Sequence, residues 1–292
     1  MTAVTVLGLG PMGTALTRAF VTAGHRTTAW SRTASTPAPD GATRASTAAE
    51  AIAAGELTVV CVRGDAAVAA VLDPIGDLTG RVVINLTSGS PTQARSRAEW
   101  AGERGADYLA GAIMTPTPSI GTAAALTLYS GPESIYGRWS ETLAALGGTA
   151  RYLGPDPGRA AAFDVSLLDM FWQSVSGIVH GLALARAEGI SGADLAPFGR
   201  TMAGLLPDMV AGFAAQLDQG EFPGTRSTIA SAEAGLAHIT ETAEGHGIDA
   251  SGLRAGLDLI RKAMDAGHAT DGLARLADVL YPGESRAQTH RM

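Results

Sequence analysis

Runs of apolar and β-branched residues alternate with helical patterns through the first half of the chain. The strand-like runs cover 5–8, 26–30, 57–62, 81–86, 108–113 and 125–129. Helical patterns cover 13–23, an alanine-rich segment near 48–54 and a polar segment from Pro91 to about Arg104. Strands that alternate with helices predict βαβ units and a mostly parallel sheet. The last of these strands are candidates for antiparallel pairing.

The second half of the chain carries no convincing strand pattern. Asp156-Pro157-Gly158 is a helix-start signal, and residues 159–187 follow without a proline. Apolar residues cover nearly every side of this segment, which predicts a long buried helix. Further helical segments follow, and the polar tail after Pro282 is predicted to fray. We predict an α/β domain over residues 1–157, and a long interdomain helix with an all-α domain over residues 158–292.

Composition narrows the class of protein. The length of 292 residues suits two domains, and 46% hydrophobic against 17% charged residues provides a large core. With 21 basic and 28 acidic residues, the net charge of -7 argues against nucleic acid or an anionic membrane surface as partner. The single cysteine, Cys61, excludes a disulfide framework, and no His, Asp and Glu spacing supports a metal site. No cationic leader precedes the first strand-like run, so we predict a cytoplasmic location.

A glycine-rich loop stands between the first predicted strand and helix. Gly8-Leu9-Gly10-Pro11-Met12-Gly13 matches G-x-G-x-x-G. The three glycines permit a tight turn, close approach of a diphosphate to the backbone, and close packing of helix on strand. A glycine-rich turn without a ligand is the alternative in a chain with 37 glycines. The position between strand and helix favours a dinucleotide site, and therefore a Rossmann domain.

The end of the second predicted strand indicates which dinucleotide binds. An NAD site usually places Asp or Glu there to bind the ribose hydroxyls. This chain has Trp30-Ser31-Arg32-Thr33 instead, an arginine between two hydroxyl side chains. Guanidinium and hydroxyl donors suit a 2′-phosphate, which predicts NADPH. The alternative is that Arg32 is a solvated loop residue.

Together these motifs resemble the β-hydroxyacid dehydrogenase superfamily, and within it the imine reductase and reductive aminase family. The resemblance extends over almost the whole chain. It implies that Val62 and Asn85 contact the cofactor and that Met114 lies beside the nicotinamide, at the substrate. The stretches that carry it are 8–13, 30–33, 85–91, 108–114 with 120–122, and 154–168.

The lysine content separates two branches of that superfamily. Its hydroxyacid dehydrogenases carry an acid/base lysine early in the interdomain helix. The only lysine of this chain is Lys262, and the corresponding helix position is Asp164. The resemblance therefore implies an imine reductase of the aspartate type. It also implies a preference for the (R)-amine with small 2-substituted cyclic imines.

The residues around Asp164 support a catalytic role for it even without the resemblance. Leu168, Phe171, Trp172 and Val175 share its helix face. An apolar face desolvates a carboxylate and raises its pKa. Such a group can hold an iminium cation or donate a proton to the amine nitrogen. The alternative is an aspartate that favours the helix start through the macrodipole, although Asp164 lies deep in the helix.

The resemblance assigns four more residues to the substrate pocket. Trp172 stands where the family often has an aromatic residue facing substrate, with a core tryptophan as the alternative. Ser88 replaces an asparagine of the reductive aminases, which weakens the prediction of reductive amination. Met202 and Ala232 replace larger polar or aromatic residues, which implies a roomier pocket.

These observations predict an NADPH-dependent imine reductase that transfers hydride to the carbon of a cyclic C=N bond. The resemblance implies a homodimer with interlocked C-terminal helices, whose active site combines the Rossmann domain of one chain with the helical domain of the other. Two alternatives remain: a hydroxyacid dehydrogenase with an atypical acid/base, and a non-catalytic NADPH-binding protein.

Overall fold

The first half of the chain folds into one sheet. The computed structural model describes residues 1–282. The strands are Ala3–Leu7 (β1), Arg26–Trp30 (β2), Thr43–Arg44 (β3), Leu57–Val60 (β4), Val82–Asn85 (β5), Asp107–Ile113 (β6), Leu126–Ser130 (β7) and Thr149–Tyr152 (β8). They lie in the order β3-β2-β1-β4-β5-β6-β7-β8. All neighbours pair in parallel except β6 and β7, which are antiparallel.

The strand order indicates where a ligand crevice lies in the sheet. From β1 the chain builds β2 and β3 on one side and then crosses back to build β4 onward on the other side, so the strand order reverses at β1 and β4. In open α/β sheets, ligands bind outside the carboxyl ends of the strands at such a reversal. Gly8 directly follows β1, and the G-x-G-x-x-G loop therefore lies at this crevice.

Five helices cover the sheet. They are Pro11–Thr22 (α1), Ala48–Ala54 (α2), Asp65–Leu72 (α3), Pro91–Glu103 (α4) and Glu133–Leu143 (α5). Reciprocal side-chain to backbone bonds fix two helix starts, between Thr47 and Glu50 for α2 and between Ser90 and Gln93 for α4.

Alternate residues of the strands build two hydrophobic cores. One contains Val4, Val6, Leu57 and Val59 with Phe20 of α1. The other contains residues of opposite parity, including Leu7, Val60 and Val83, packed with Ile52 of α2 and Val68 and Leu72 of α3. Because successive strand residues point to opposite faces, the two cores lie on the two faces of the sheet.

The remainder of the described chain is helical. Its helices are Gly158–Ala187 (α6), Gly192–Ala203 (α7), Leu206–Gln219 (α8), Ile229–Gly245 (α9), Ser251–Asp265 (α10) and Leu276–Leu280 (α11). The chain divides into two compact units, Met1–Trp172 and the part from Gln173 onward, so the boundary falls within α6. In the second unit α9 packs on α10 around Ile229, Ile260 and Ala263.

One prediction about α6 is wrong for the single chain. Its apolar residues were expected to be buried, yet Phe171 is 56% exposed and Trp172 61% exposed. Beyond it, α7 and α8 bury no residue at all. The sequence pattern gives the apolar character of a surface but not whether other residues pack against it.

The predicted fold class, a Rossmann domain followed by a long helix and a helical domain, is confirmed. Four elements were not predicted from the sequence: the helices α3 and α5, the strand β8 and the two-residue strand β3. The predicted fraying of the tail concerns residues after Pro282, which lie outside the described residues. Within residues 1–282, no helix combines the length and hydropathy needed to cross a membrane.

Candidate active site

Close packing shapes the glycine-rich loop. Gly8 has a φ of 112°, and a Cβ there would strike the carbonyl oxygen of Cys61. A Cβ on Gly13 would strike the carbonyl oxygen of Gly8, so α1 can approach β1 only with glycine at that position. Around Gly10, by contrast, a Cβ would meet no atom within 4 Å. Gly8 and Gly13 are therefore needed for packing, and Gly10 keeps the backbone open toward the crevice.

The start of α1 suits a diphosphate. Gly10 caps the helix with extended backbone and no side-chain hydrogen bond, and Pro11 occupies the first turn. The first N–H groups of the helix are left without a capping side chain, and a helix N-terminus with free N–H groups binds anions. The cleft above it is about 660 Å³ in volume. Its lining residues include Gly8, Leu9, Gly10, Pro11, Met12, Gly13, Trp30, Ser31, Arg32, Thr33, Thr36, Val62 and Arg63.

Charge in this cleft is positive. Arg32 is exposed at the end of β2, and Arg63 lies on the opposite wall after β4. Among the described residues that line the cleft, none is acidic. A cleft with two arginines and no carboxylate fits a dinucleotide that carries a 2′-phosphate.

A second group of hydrogen bonds anchors the beginning of α6. The Ser130 hydroxyl at the end of β7 donates to the Pro157 carbonyl at 3.0 Å and accepts from the Ala160 N–H at 2.9 Å. Asp156 accepts the Gly158 N–H at 2.9 Å and two bonds from Arg95 of α4 at 2.9 and 2.7 Å. The start of α6 is thereby fixed to the sheet, which fixes the position of Asp164 further along the helix.

The loop from β5 to α4 is held equally firmly. The Asn85 side-chain amide donates to the Tyr108 hydroxyl at 3.2 Å, and its oxygen accepts the Thr87 N–H at 3.0 Å. The Thr87 hydroxyl accepts the Val62 N–H at 3.1 Å, which ties this loop to the wall of the dinucleotide cleft. Asn85 itself lines a smaller cavity with Ser88 and Tyr108 and not the cleft over Gly10.

The fixed start of α6 and the fixed loop from β5 to α4 together place Ser88 near Asp164. Asp164 is only 2% exposed, and the Ser88 hydroxyl lies close enough to its carboxyl group to influence its pKa. Burial raises the pKa of Asp164 above 3.8, while the Ser88 hydrogen bond opposes that shift. The direction agrees with the sequence prediction. Its cause differs in part, because Phe171 and Trp172 of the same helix face are themselves exposed and contribute little burial.

The other predicted pocket residues are distributed over both units. Met114 packs beside Ala112, Leu128 and Ala160, next to the start of α6. Trp172 is exposed, with its ring edge-to-face on Phe171 at a centroid distance of 5.4 Å. In the second unit, Met202 is an exposed residue of α7, and Ala232 packs in the first turns of α9 against the α9–α10 core.

Sequence reasoning missed several residues that build this site. Thr36 and Arg63 line the cleft, Thr87 and Tyr108 hold the Ser88 loop, and Arg44 binds the Arg32 loop. The Thr87, Tyr108 and Arg44 contacts join residues from different strands or the loops after them, and no local spacing encodes them.

The fold and the cleft define a dinucleotide-dependent oxidoreductase. Residues 3–154 match the family model described as the NAD binding domain of 6-phosphogluconate dehydrogenase. Residues 156–282 match the model described as NADPH-dependent reductive aminase-like, C-terminal domain.

Individual relatives are similar to this chain over nearly its full length. The NADPH-dependent reductive aminase of Aspergillus oryzae is 31% identical over 96% of this chain and 97% of its own. The solved imine reductase from Myxococcus stipitatus in complex with NADP⁺ is 33% identical with a TM-score of 0.91, covering 95% of this chain and 99% of that one. The reductive aminase from Aspergillus terreus, solved with cyclohexanone and allyl amine, is 34% identical with a TM-score of 0.86, covering 96% and 99%. The chain belongs to the imine reductase and reductive aminase family.

Proposed function

We propose that this protein is an NADPH-dependent imine reductase. The observation that carries the proposal is Asp164, a buried carboxyl group with a raised pKa, at the helix position where the hydroxyacid dehydrogenases of the superfamily have lysine. Family membership and the positive dinucleotide cleft support the same activity.

The residues of the cleft fit NADPH. The free N–H groups at the start of α1 would bind the diphosphate, and Gly10 would allow it to approach the backbone. Arg32 with Ser31 and Thr33 would bind the 2′-phosphate, and Val62 would contact the adenosine half from the opposite wall. Bound NADPH supplies a hydride; the protein supplies position and charge.

Asp164 would supply the proton that the substrate nitrogen takes up in the reaction. Reduction of a C=N bond adds a hydride to carbon and a proton to nitrogen. With its raised pKa, Asp164 retains a proton to a higher pH than an ordinary carboxyl group, so it can donate to the nitrogen. When ionised, the same group would hold an iminium cation against the nicotinamide by charge.

Ser88 would orient the Asp164 carboxyl group. Its hydroxyl lies beside the carboxyl group, where it would donate a hydrogen bond to the ionised form and stabilise it. Met114 and Trp172 would complete the apolar wall around the substrate, and an indole face can also attract an iminium cation. Met202 and Ala232 are proposed pocket residues from the helical domain.

We also propose that the protein is a homodimer with interlocked C-terminal helices. The support is the apolar surface of α6, α7 and α8, which includes Phe171, Phe198, Met202, Leu206 and Val210. Exposed apolar patches of this extent mark interaction sites, and isologous pairing with a second copy is the commonest solution. Each active site would then form between the Rossmann domain of one chain, with Asp164 of the same chain, and the helical domain of the other chain. The cytoplasmic location stays a prediction.

The proposal is tested by NADPH oxidation with three substrate sets: cyclic imines, ketone and amine mixtures, and hydroxyacids in the reverse direction. We expect turnover of 2-methyl-1-pyrroline, with the (R)-amine in excess, and less turnover of ketone and amine mixtures because Ser88 replaces the asparagine of the aminases. Activity on hydroxyacids alone would identify a dehydrogenase. Tight NADPH binding without turnover of any set would identify a non-catalytic binding protein.

A further inference from the structure

Arg44 lies directly behind the loop that carries Arg32. It ends β3, where it pairs with Ala29 of β2. Its Nη2 atom donates to the Ser31 carbonyl at 3.0 Å, to the Thr33 carbonyl at 3.2 Å and to the Ser31 hydroxyl at 3.4 Å. One guanidinium nitrogen therefore holds both sides of the turn around Arg32.

These bonds decide which backbone groups face away from Arg44. In a trans peptide the carbonyl and the following N–H point in opposite directions. With the Ser31 and Thr33 carbonyls directed at Arg44, the N–H groups of Arg32 and Ala34 point away from it. The Thr33 carbonyl also accepts the Ser31 hydroxyl and the Thr36 N–H, each at 3.1 Å. The turn is thus fixed with its carbonyl oxygens, which repel a phosphate, facing inward.

The charge of Arg44 is not neutralised nearby. Its Nη1 atom is buried and has no hydrogen-bond partner, and no carboxylate pairs with it among residues 1–282. Arg44 does not line the dinucleotide cleft itself. It therefore adds positive potential behind the turn without touching a ligand in the cleft.

We propose that Arg44 is a positioning residue that sets the preference for NADPH over NADH. It holds the Ser31–Thr33 turn in a phosphate-binding conformation and supplies a second positive charge behind Arg32. This inference rests on the proposed use of NADPH.

Binding titrations of the purified protein test it, with NADPH and NADH fluorescence as the readout. Arg44→Ala should weaken NADPH binding by about tenfold, because it removes a positive charge behind the turn and the bonds that hold the turn, and it should leave NADH binding nearly unchanged. Arg44→Lys should recover part of the loss, since it keeps the charge and one donor. Arg81→Ala is the matched control: Arg81 donates to the Gly55 carbonyl at 3.0 Å at the opposite, amino-terminal edge of the sheet. It should change neither affinity.

Phosphorus NMR of bound NADP⁺ gives a second readout. The 2′-phosphate titrates near a pKa of about 6 when free, and the positive turn should lower that pKa in the wild-type complex. Arg44→Ala should move it back toward the free value. Equal losses of NADPH and NADH affinity, or an unchanged preference, would overturn the role of Arg44 alone. A wild-type protein without any preference for NADPH would overturn both this inference and the proposed cofactor.

Discussion

The Ser88 hydroxyl lies beside the buried carboxyl group of Asp164 and opposes the rise in its pKa that burial causes. The two residues come from distant parts of the chain, the β5–α4 loop and α6. The loop is fixed by Asn85 and Tyr108, and the helix by Ser130 and Asp156. The loop and the helix that carry the two residues are therefore fixed before any substrate arrives, as proton transfer or charge stabilisation by Asp164 would require.

Replacing Asp164 should impair the chemical step. Asp164→Ala should lower kcat with 2-methyl-1-pyrroline by roughly 10²-fold or more, the scale of a positioned acid. Asp164→Asn should be nearly as damaging, because it keeps the shape but loses the charge and the proton. NADPH affinity should hardly change, since Asp164 is not part of the cleft lining. Steady-state kinetics with a parallel NADPH titration check this, and a loss of stability at unchanged kcat would assign Asp164 to the helix alone.

Asp164 should also make stability depend on pH. Its pKa is raised on folding, so its stabilising contribution is complete below 3.8 and is lost as pH rises through the raised pKa. Asp164→Asn removes the cost of a buried carboxylate and should raise Tm by a few degrees at about pH 8. The difference should vanish near pH 4. Thermal unfolding across this range measures it; an Asn variant less stable at every pH would mean that the Ser88 bond outweighs burial.

Arg32 should determine cofactor affinity. Arg32→Ala removes a charge-assisted contact with the 2′-phosphate, worth roughly 1.5–3 kcal/mol. NADPH binding should weaken by at least about tenfold while NADH binding changes little. Fluorescence titration with both cofactors measures the two affinities. Equal losses for NADPH and NADH would show that Arg32 does not bind the 2′-phosphate.

The apolar surface of the helical half should be a subunit interface. Phe198 of α7 is 71% exposed and Val210 of α8 is 53% exposed, so replacing them with aspartate removes little burial within one chain. Phe198→Asp and Val210→Asp should shift the protein from dimer to monomer in sedimentation velocity and abolish activity. Leu280→Asp is the control, because Leu280 is 69% exposed on α11, outside α6–α8. A wild-type protein that is an active monomer would contradict the interface.

The Rossmann fold and the place of its cleft were predictable because their signals are local. Gly8 to Gly13 and Arg32 occupy fixed places after β1 and β2, and strand–helix alternation identifies those strands. Asp164 became the candidate catalytic residue through the family resemblance, because Lys262 is the only lysine and leaves none for the start of α6. Its pairing with Ser88 did not follow, because it depends on how the β5–α4 loop and α6 meet in space.

Two other features could not be predicted from the sequence, for different physical reasons. Arg44 ends a strand of two residues within a stretch rich in Ser, Thr and Pro, too short for any periodicity. The exposure of Phe171 and Trp172 could not be predicted, because an apolar pattern is the same whether a core or a second subunit covers it.

The most direct test of the central claim follows the hydride itself. NADPH deuterated at both C4 positions of the nicotinamide is incubated with the protein and 2-methyl-1-pyrroline, and the product is analysed by mass spectrometry and NMR. The account predicts 2-methylpyrrolidine with one deuterium on the former imine carbon, formed by the wild-type protein and strongly reduced in Asp164→Ala at full cofactor occupancy. Cofactor that binds without forming this amine, or amine without deuterium at that carbon, would contradict it.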